Sequence, residues 1–309
     1  MWKNERHPSD STHNAITDMA DILKHRPPFP FETIALAVSF SGHLEALISE
    51  TRHLAHLFGA RIVLIHCGKK TKQKEKELTG LLFKQNVDIR RLQIYWESGD
   101  ACDTVLNVCK KEVVDLLIAG ALEKENLFRY YTGSTSREIS RRAKCSVMML
   151  TEPSFDPHPF HKIVVNGHEH PKTSETIRTA YYVAEKSTAE QIIIADEVDF
   201  SRKIENAKSE KNLRKLVEAK QKIEFAEIER VKDVSKITEP VSFTISSRVI
   251  NGKAGHAIGD FARKSKADLL IVNSPDHHLS LMDRIFVHDL EHLLGNLPCN
   301  LLIVHSRVW

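Results

Sequence analysis

The chain has 309 residues, of which 41% are hydrophobic and 28% charged, with a formal net charge of +3. That length exceeds what one core usually serves, so two domains of ordinary size are expected. The small net charge argues against a nucleic-acid partner, which needs a concentrated basic face, and no run approaches the roughly 20 apolar residues of a membrane span.

Residues 1–30 are polar, end at Pro27, Pro28 and Pro30, and read as an extension outside the first core; their start carries no apolar stretch of the secretory kind. Thr33 to Val38 is a short apolar run bounded by Ser39 and Gly42, the signal of a buried strand. Leu44, Leu47, Ile48, Leu54, Ala55 and Phe58 follow at helical spacing, and Gly59 stands where that helix should stop. Arg61 to His66 is a second strand, 71–85 a charged helix and Arg90 to Trp96 a third strand. Asp100 can cap a helix whose inner face is Val105, Leu106 and Val108. Asp115 to Gly120 is strand four; a loop leads to Gly133 and a helix to about Ala143, and Ser146 to Leu150 is strand five.

Pro153, Pro157 and Pro159 then mark a linker. The pattern returns with strands at 162–165, 191–195, 243–249, 268–273 and 300–305, and helices at 173–185, 202–223 and 255–264. The expected layout is an extension over 1–30, domains over 31–152 and 161–309, and a linker over 153–160. Strands alternating with helices imply parallel pairing through right-handed crossovers. The fold class is therefore α/β, with two tandem doubly wound parallel-sheet domains.

The halves repeat one another. Asp115 to Gly120 matches Asp268 to Asn273, Ser98-Gly99-Asp100 matches Asn251-Gly252-Lys253, and Lys144-Cys145 matches Pro298-Cys299. Repetition of both order and junctions points to duplication.

Gly120 ends strand four, and the pattern continues through Glu123 to Gly133-Ser134 and on to Cys145. This resembles the universal stress protein family, whose motif runs Gly-x2-Gly-x9-Gly-Ser/Thr and is followed by a Pro-Cys before strand five. The resemblance covers about residues 32–151 and again 161–306. Glu123 replaces the middle glycine, while the family's strand-one Asp and nearby Ser fall at Ser39 and Ser41. In the second half Asn273 and Asp276 replace two glycines, Phe286-Val287-His288 replaces Gly-Ser, and Asn166-Gly167 stands where the family often has Asp-Gly. The resemblance implies the adenine nucleotide alpha hydrolase-like fold. It also implies an adenine nucleotide, ATP (with Mg²⁺) or AMP, or no nucleotide at all. It implies pairing through strand five, either between the two halves of this chain or in a homodimer.

The residues themselves explain why such a motif suits a nucleotide. A glycine at Gly120 lets the backbone approach a ligand. Gly133-Ser134 opens a helix whose free amides and dipole suit a phosphate, and the Ser134 and Thr135 hydroxyls can add hydrogen bonds. Thr135 with Glu138 fits a capping box, and Arg129 or Arg137 could supply positive charge. Glu123 would repel a phosphate unless a metal or arginine intervenes; with Mg²⁺ it would be a ligand. The candidate site is thus Ser39, Ser41, Gly120, Glu123, Gly133, Ser134 and Thr135.

Other patterns read as ordinary structure. His288-Asp289-Leu290-Glu291-His292 fits an inverted zinc motif but coincides with a family helix. The 37–42 turn resembles the loop of PP-loop pyrophosphatases without its second glycine and Asp. Cys67, Cys102, Cys109, Cys145 and Cys299 form no CxxC pair and read as reduced thiols, so a cytoplasmic location is expected. The charged 202–223 helix mixes both signs, as a solvated face does, and His168-Glu169-His170 reads as an exposed turn. Three functions stay open. They are, in order, a regulatory binding protein with a nucleotide in the first half, a ligand-free interaction module, and an enzyme, adenylating or slowly ATP-hydrolysing, with Glu123 as its base or metal ligand.

Overall fold

The computed structural model describes residues 27–124, 129–168, 170–198, 241–253, 255–275 and 290–305, with isolated positions at 218, 221, 222, 225 and 229. Most of the 1–30 extension, the 202–223 helix, Glu169, Asp276, Phe286, Val287 and His288 lie outside the described residues.

The first half runs β1 (Thr33–Ala37), α1 (Leu44–Phe58), β2 (Arg61–Cys67), α2 (Lys72–Lys84), β3 (Leu92–Glu97), α3 (Ala101–Lys111) and β4 (Leu116–Gly120). A small hairpin follows, β5 (Leu122–Lys124) with β6 (Arg129–Tyr131), then α4 (Ser134–Arg142) and β7 (Ser146–Leu150). β1, β4 and β7 are nearly continuous apolar runs because helices cover both their faces. One core packs α1 and α2 against the sheet, with Leu44, Leu47, Ile48, Leu54 and Leu78 buried there; the opposite core packs α3 and α4 through Val105, Val108, Ile139 and Cys145. Gly59 ends α1 in the left-handed region at φ 69°, where glycine carries no steric penalty.

The second half repeats the plan: β8 (Lys162–Asn166), α5 (Thr173–Ser187), β9 (Gln191–Val198), β10 (Thr244–Asn251), α6 (His256–Lys264), β11 (Leu269–Asn273), a helical turn over 290–295, and β12 (Asn300–Val304). The order β3-β2-β1-β4-β7 in one half matches β10-β9-β8-β11-β12 in the other, and pairing within each half is parallel.

The repeated sequence junctions have a physical basis. Asp115 is only 2% exposed, and its Oδ2 accepts the Glu32 and Thr33 amides at 2.9 Å each; Asp268 Oδ2 accepts the His161 and Lys162 amides at 2.9 and 2.7 Å. Each aspartate satisfies the donors entering strand one of its half. Gly99 and Gly252 sit at φ 137° and 149°, a turn that L side chains rarely adopt.

The two sheets are joined edge to edge, by the pairing of the two halves through strand five that the resemblance implied. β7 and β12 pair antiparallel, Leu301 with Met149 and Ile303 with Val147, giving one ten-stranded sheet. Both strands are apolar, and mutual pairing hides two edges that would otherwise invite aggregation. Each now has a neighbour on both sides, so neither edge is left for a second chain. Aromatic packing adds to the seam. Phe29 stacks on Tyr182 at 5.4 Å, Phe31 is wholly buried against Phe58 and Tyr182, and the Tyr182 hydroxyl accepts the Phe31 amide. Phe29 thus lies against the second half. The connecting segment is pinned too: Ser154 N–H donates to Glu50, and Ser49 Oγ donates to the Phe155 carbonyl.

Candidate functional site

In each half the strand order reverses between strands one and four, and a doubly wound sheet presents its binding crevice at the carboxyl ends there. In the first half this is where β1 gives way to Ser39 and Ser41, both exposed, and where β4 ends at Gly120. The β1–β4 register places Leu36 beside Ile118, so Ser39 and Gly120 leave neighbouring strand ends. A Cβ at Gly120 would come within 3.0 Å of Leu47 Cδ1, so the missing side chain serves close packing of β4 against α1.

From Gly120 the chain passes through the β5–β6 hairpin, which places Glu123 opposite Tyr130, to Gly133. Gly133 is the N-cap of α4 and has no side chain to offer its amides. The capping box is therefore absent: Thr135 lies inside the first turn, and Glu138 pairs with Arg142 at 2.6 Å. The cause is position: Gly133, in extended backbone at φ −62° and ψ 165°, takes the N-cap place two residues before Thr135. Ser134 and Thr135 are exposed. Immediately before them Thr132 is 1% exposed, and its Oγ1 has no partner among the described residues. A buried hydroxyl without a partner costs free energy and marks a position that a ligand or water would complete.

Arg137 does not face this crevice as a free cation. Its Nε donates to the Thr132 carbonyl at 2.9 Å, and its guanidinium lies 3.5 Å from Glu291 of the second half. Two lysines lie beside the ends of β1 to β3, and one of them, Lys70, pairs with Glu75 at 2.7 Å. Phe40, between the two serines, meets the buried His66 edge to face at 4.9 Å and stacks on Trp96 at 6.0 Å. Lys74 Nζ lies 3.1 Å from His66 Nε2 and 5.2 Å from the Phe40 ring, and Lys70 lies 5.9 Å from Trp96. The available cue was His66 closing an otherwise apolar strand.

Among the described residues, the second half places bonded polar side chains at the corresponding strand ends. Asn273 donates to Thr173 Oγ1 at 3.1 Å and also bonds Thr176, while Asn166 accepts the His168 amide. The ammonium side chain of Lys253, aligned with the Asp100 cap, cannot accept a hydrogen bond, and Glu197 reaches from β9 to accept the Gly255 and Ile258 amides at 3.1 and 2.7 Å. Between Asn166, Asn273 and Leu293 a cavity of about 20 Å³ remains, room for one water.

Among the described residues no group of three or more His, Cys, Asp or Glu is placed to hold a metal. Of the zinc-like motif, Glu291 faces Arg137 and Arg141, and the His292 ring stacks on His256 with centroids 3.3 Å apart. Cys145 is a buried core residue, and burial pushes the Cys299 thiol up to about 12, so neither is poised as a nucleophile.

Residues 68–151 match the model of the universal stress protein family. That stretch is similar to a universal stress protein domain. No curated protein sequence matches it. A protein of unknown function from Pseudomonas aeruginosa PAO1 superposes with a TM-score of 0.65 over 93% of this chain and 95% of its own, at 16% identity. A universal stress protein from Archaeoglobus fulgidus DSM 4304 superposes with a TM-score of 0.54 over 89% of this chain and 96% of its own, at 13% identity. At such identities the likeness is one of fold, and it spans both halves. The likeness of fold thus extends to the second half as well as the first, whose α4 starts without a side-chain cap.

Proposed function

We propose that this protein is a regulatory binding protein whose first half takes an adenine nucleotide, ATP or AMP, and whose second half is structural. The observation that carries this reading is the start of α4: amides without a side-chain cap, exposed Ser134 and Thr135 hydroxyls, and the buried unpartnered Thr132 Oγ1 beside them. A helix N-terminus carries about half a positive charge and several free donors, the requirements of a phosphate. Ser39, Ser41 and Gly120 form the facing wall in this reading. With ATP, Mg²⁺ would offset the Glu123 carboxylate; with AMP no metal is needed. A cytoplasmic location belongs to the same reading and rests on the odd, widely spaced cysteines.

The test is calorimetric titration of the full chain with ATP plus Mg²⁺, AMP and cyclic AMP, with mass spectrometry of small molecules released on denaturation. Saturable binding of one nucleotide per chain is expected. No heat and no released nucleotide would leave a ligand-free interaction module as the better reading. Any hydrolysis that Glu123→Gln leaves unchanged would remove the enzymatic one.

A further inference from the structure

The stretch that opens the first-half crevice is held by the other half of the molecule. Leu297 of the second half donates its amide to the Tyr130 carbonyl at 3.0 Å, making a one-residue antiparallel bridge to β6. Thr132 donates its amide to the Leu294 carbonyl at 2.8 Å. Arg137 ties the Thr132 carbonyl from the helix side, and Glu291 holds that arginine, with one carboxylate oxygen 3.5 Å from Arg137 Nη1 and the other 3.4 Å from Arg141 Nη1. Gly295 passes so close that a Cβ there would sit 3.4 Å from Arg137 Nη2. The far end of α4 is anchored within the first half, where Arg142 pairs with Asp103. The first-half elements therefore position the end of α4, and residues 291–297 position its beginning.

We propose that the second half is the scaffold of the first-half anion site, with Glu291 as a positioning residue acting through Arg137 on the peptide ahead of Gly133. The proposal rests on the reading that α4 receives a phosphate. It gives the second half a role, since the backbone before the helix has its partners there.

The sign of one substitution separates positioning from simple charge. Removing a carboxylate near a phosphate tightens binding if charge alone matters. If Glu291 positions the site, its loss loosens it. Glu291→Gln is expected to weaken ATP binding about threefold and Glu291→Arg about tenfold, the scale of partly exposed ion pairs and their reversal. Glu291→Asp should recover most of the affinity. Unchanged or tighter binding in Glu291→Gln overturns the proposal.

Hydrogen exchange on the ligand-free protein supplies a second readout. The amides of 130–137 should exchange several-fold faster in Glu291→Gln while those of Val147 to Met149 keep their protection. Equal exchange in wild type and variant overturns the proposal even if nucleotide binds. Absence of any binding by the wild type defeats the phosphate reading instead, and the exchange result still decides whether Glu291 positions the helix start.

Discussion

Replacing Asp115 with alanine should be among the most damaging single changes in the first half. Its Oδ2 alone accepts the Glu32 and Thr33 amides, at 2.9 Å each, and the side chain is 2% exposed. Hydrogen bonds to a charged acceptor contribute about 1.5–3 kcal/mol each, and a donor stranded without its acceptor costs about 1–3 kcal/mol. Two such donors, one of them fully buried, put Asp115→Ala at about 3–5 kcal/mol. Asp115→Asn keeps one oxygen that can accept both amides and loses only the charge, so about 1–2 kcal/mol is expected. Urea unfolding followed by circular dichroism measures both, with the loss seen as a lower midpoint at constant slope. If the two variants unfold within about 0.5 kcal/mol of each other, the two amide bonds do not carry the effect and the reasoning fails.

The equivalent Asp268→Ala should cost less, about 2–3 kcal/mol, because the His161 amide it holds is exposed; the same unfolding assay decides. Glu197→Ala removes the only acceptor described for the Gly255 and Ile258 amides and should cost about 2 kcal/mol, with faster exchange confined to the start of α6. Gly252→Ala forces φ 149° on an L residue and brings its Cβ to 2.9 Å from that of Ala257, so a loss of about 2 kcal/mol in thermal or urea unfolding is expected. Burial first, and His256 second, hold the His292 pKa below its usual 6.5, with Lys253 and Arg263 acting the same way and Asp260 opposing. The folded protein thus resists protonation there, so this contribution is whole above about pH 6.5 and is lost as pH falls. His292→Gln should flatten the fall in melting temperature between about pH 7 and 5; an unchanged slope refutes that assignment.

Much of the fold was legible in the order of residues because its signals are local. Apolar runs of five residues, helical spacing in α1, the Asp100 cap and Gly59 are all decided within a few positions of one another. So was the start of the candidate site, since Gly133-Ser134 begins α4 as its spacing from Gly120 suggests. The expected capping box fails for a local reason as well: Gly133 takes the N-cap position, and Glu138 pairs with Arg142.

What the chain determines by itself is therefore the repeated order of elements and the chemistry at each strand end. Tertiary structure decided the rest, because it depends on partners more than a hundred residues apart. β7 meets β12 only when both sheets exist, Thr132 meets Leu294 only across that seam, and Arg137 is withdrawn from the crevice by Glu291. Spacing along a chain reports what neighbours can do; only packing says which distant group reaches a buried donor or cation first.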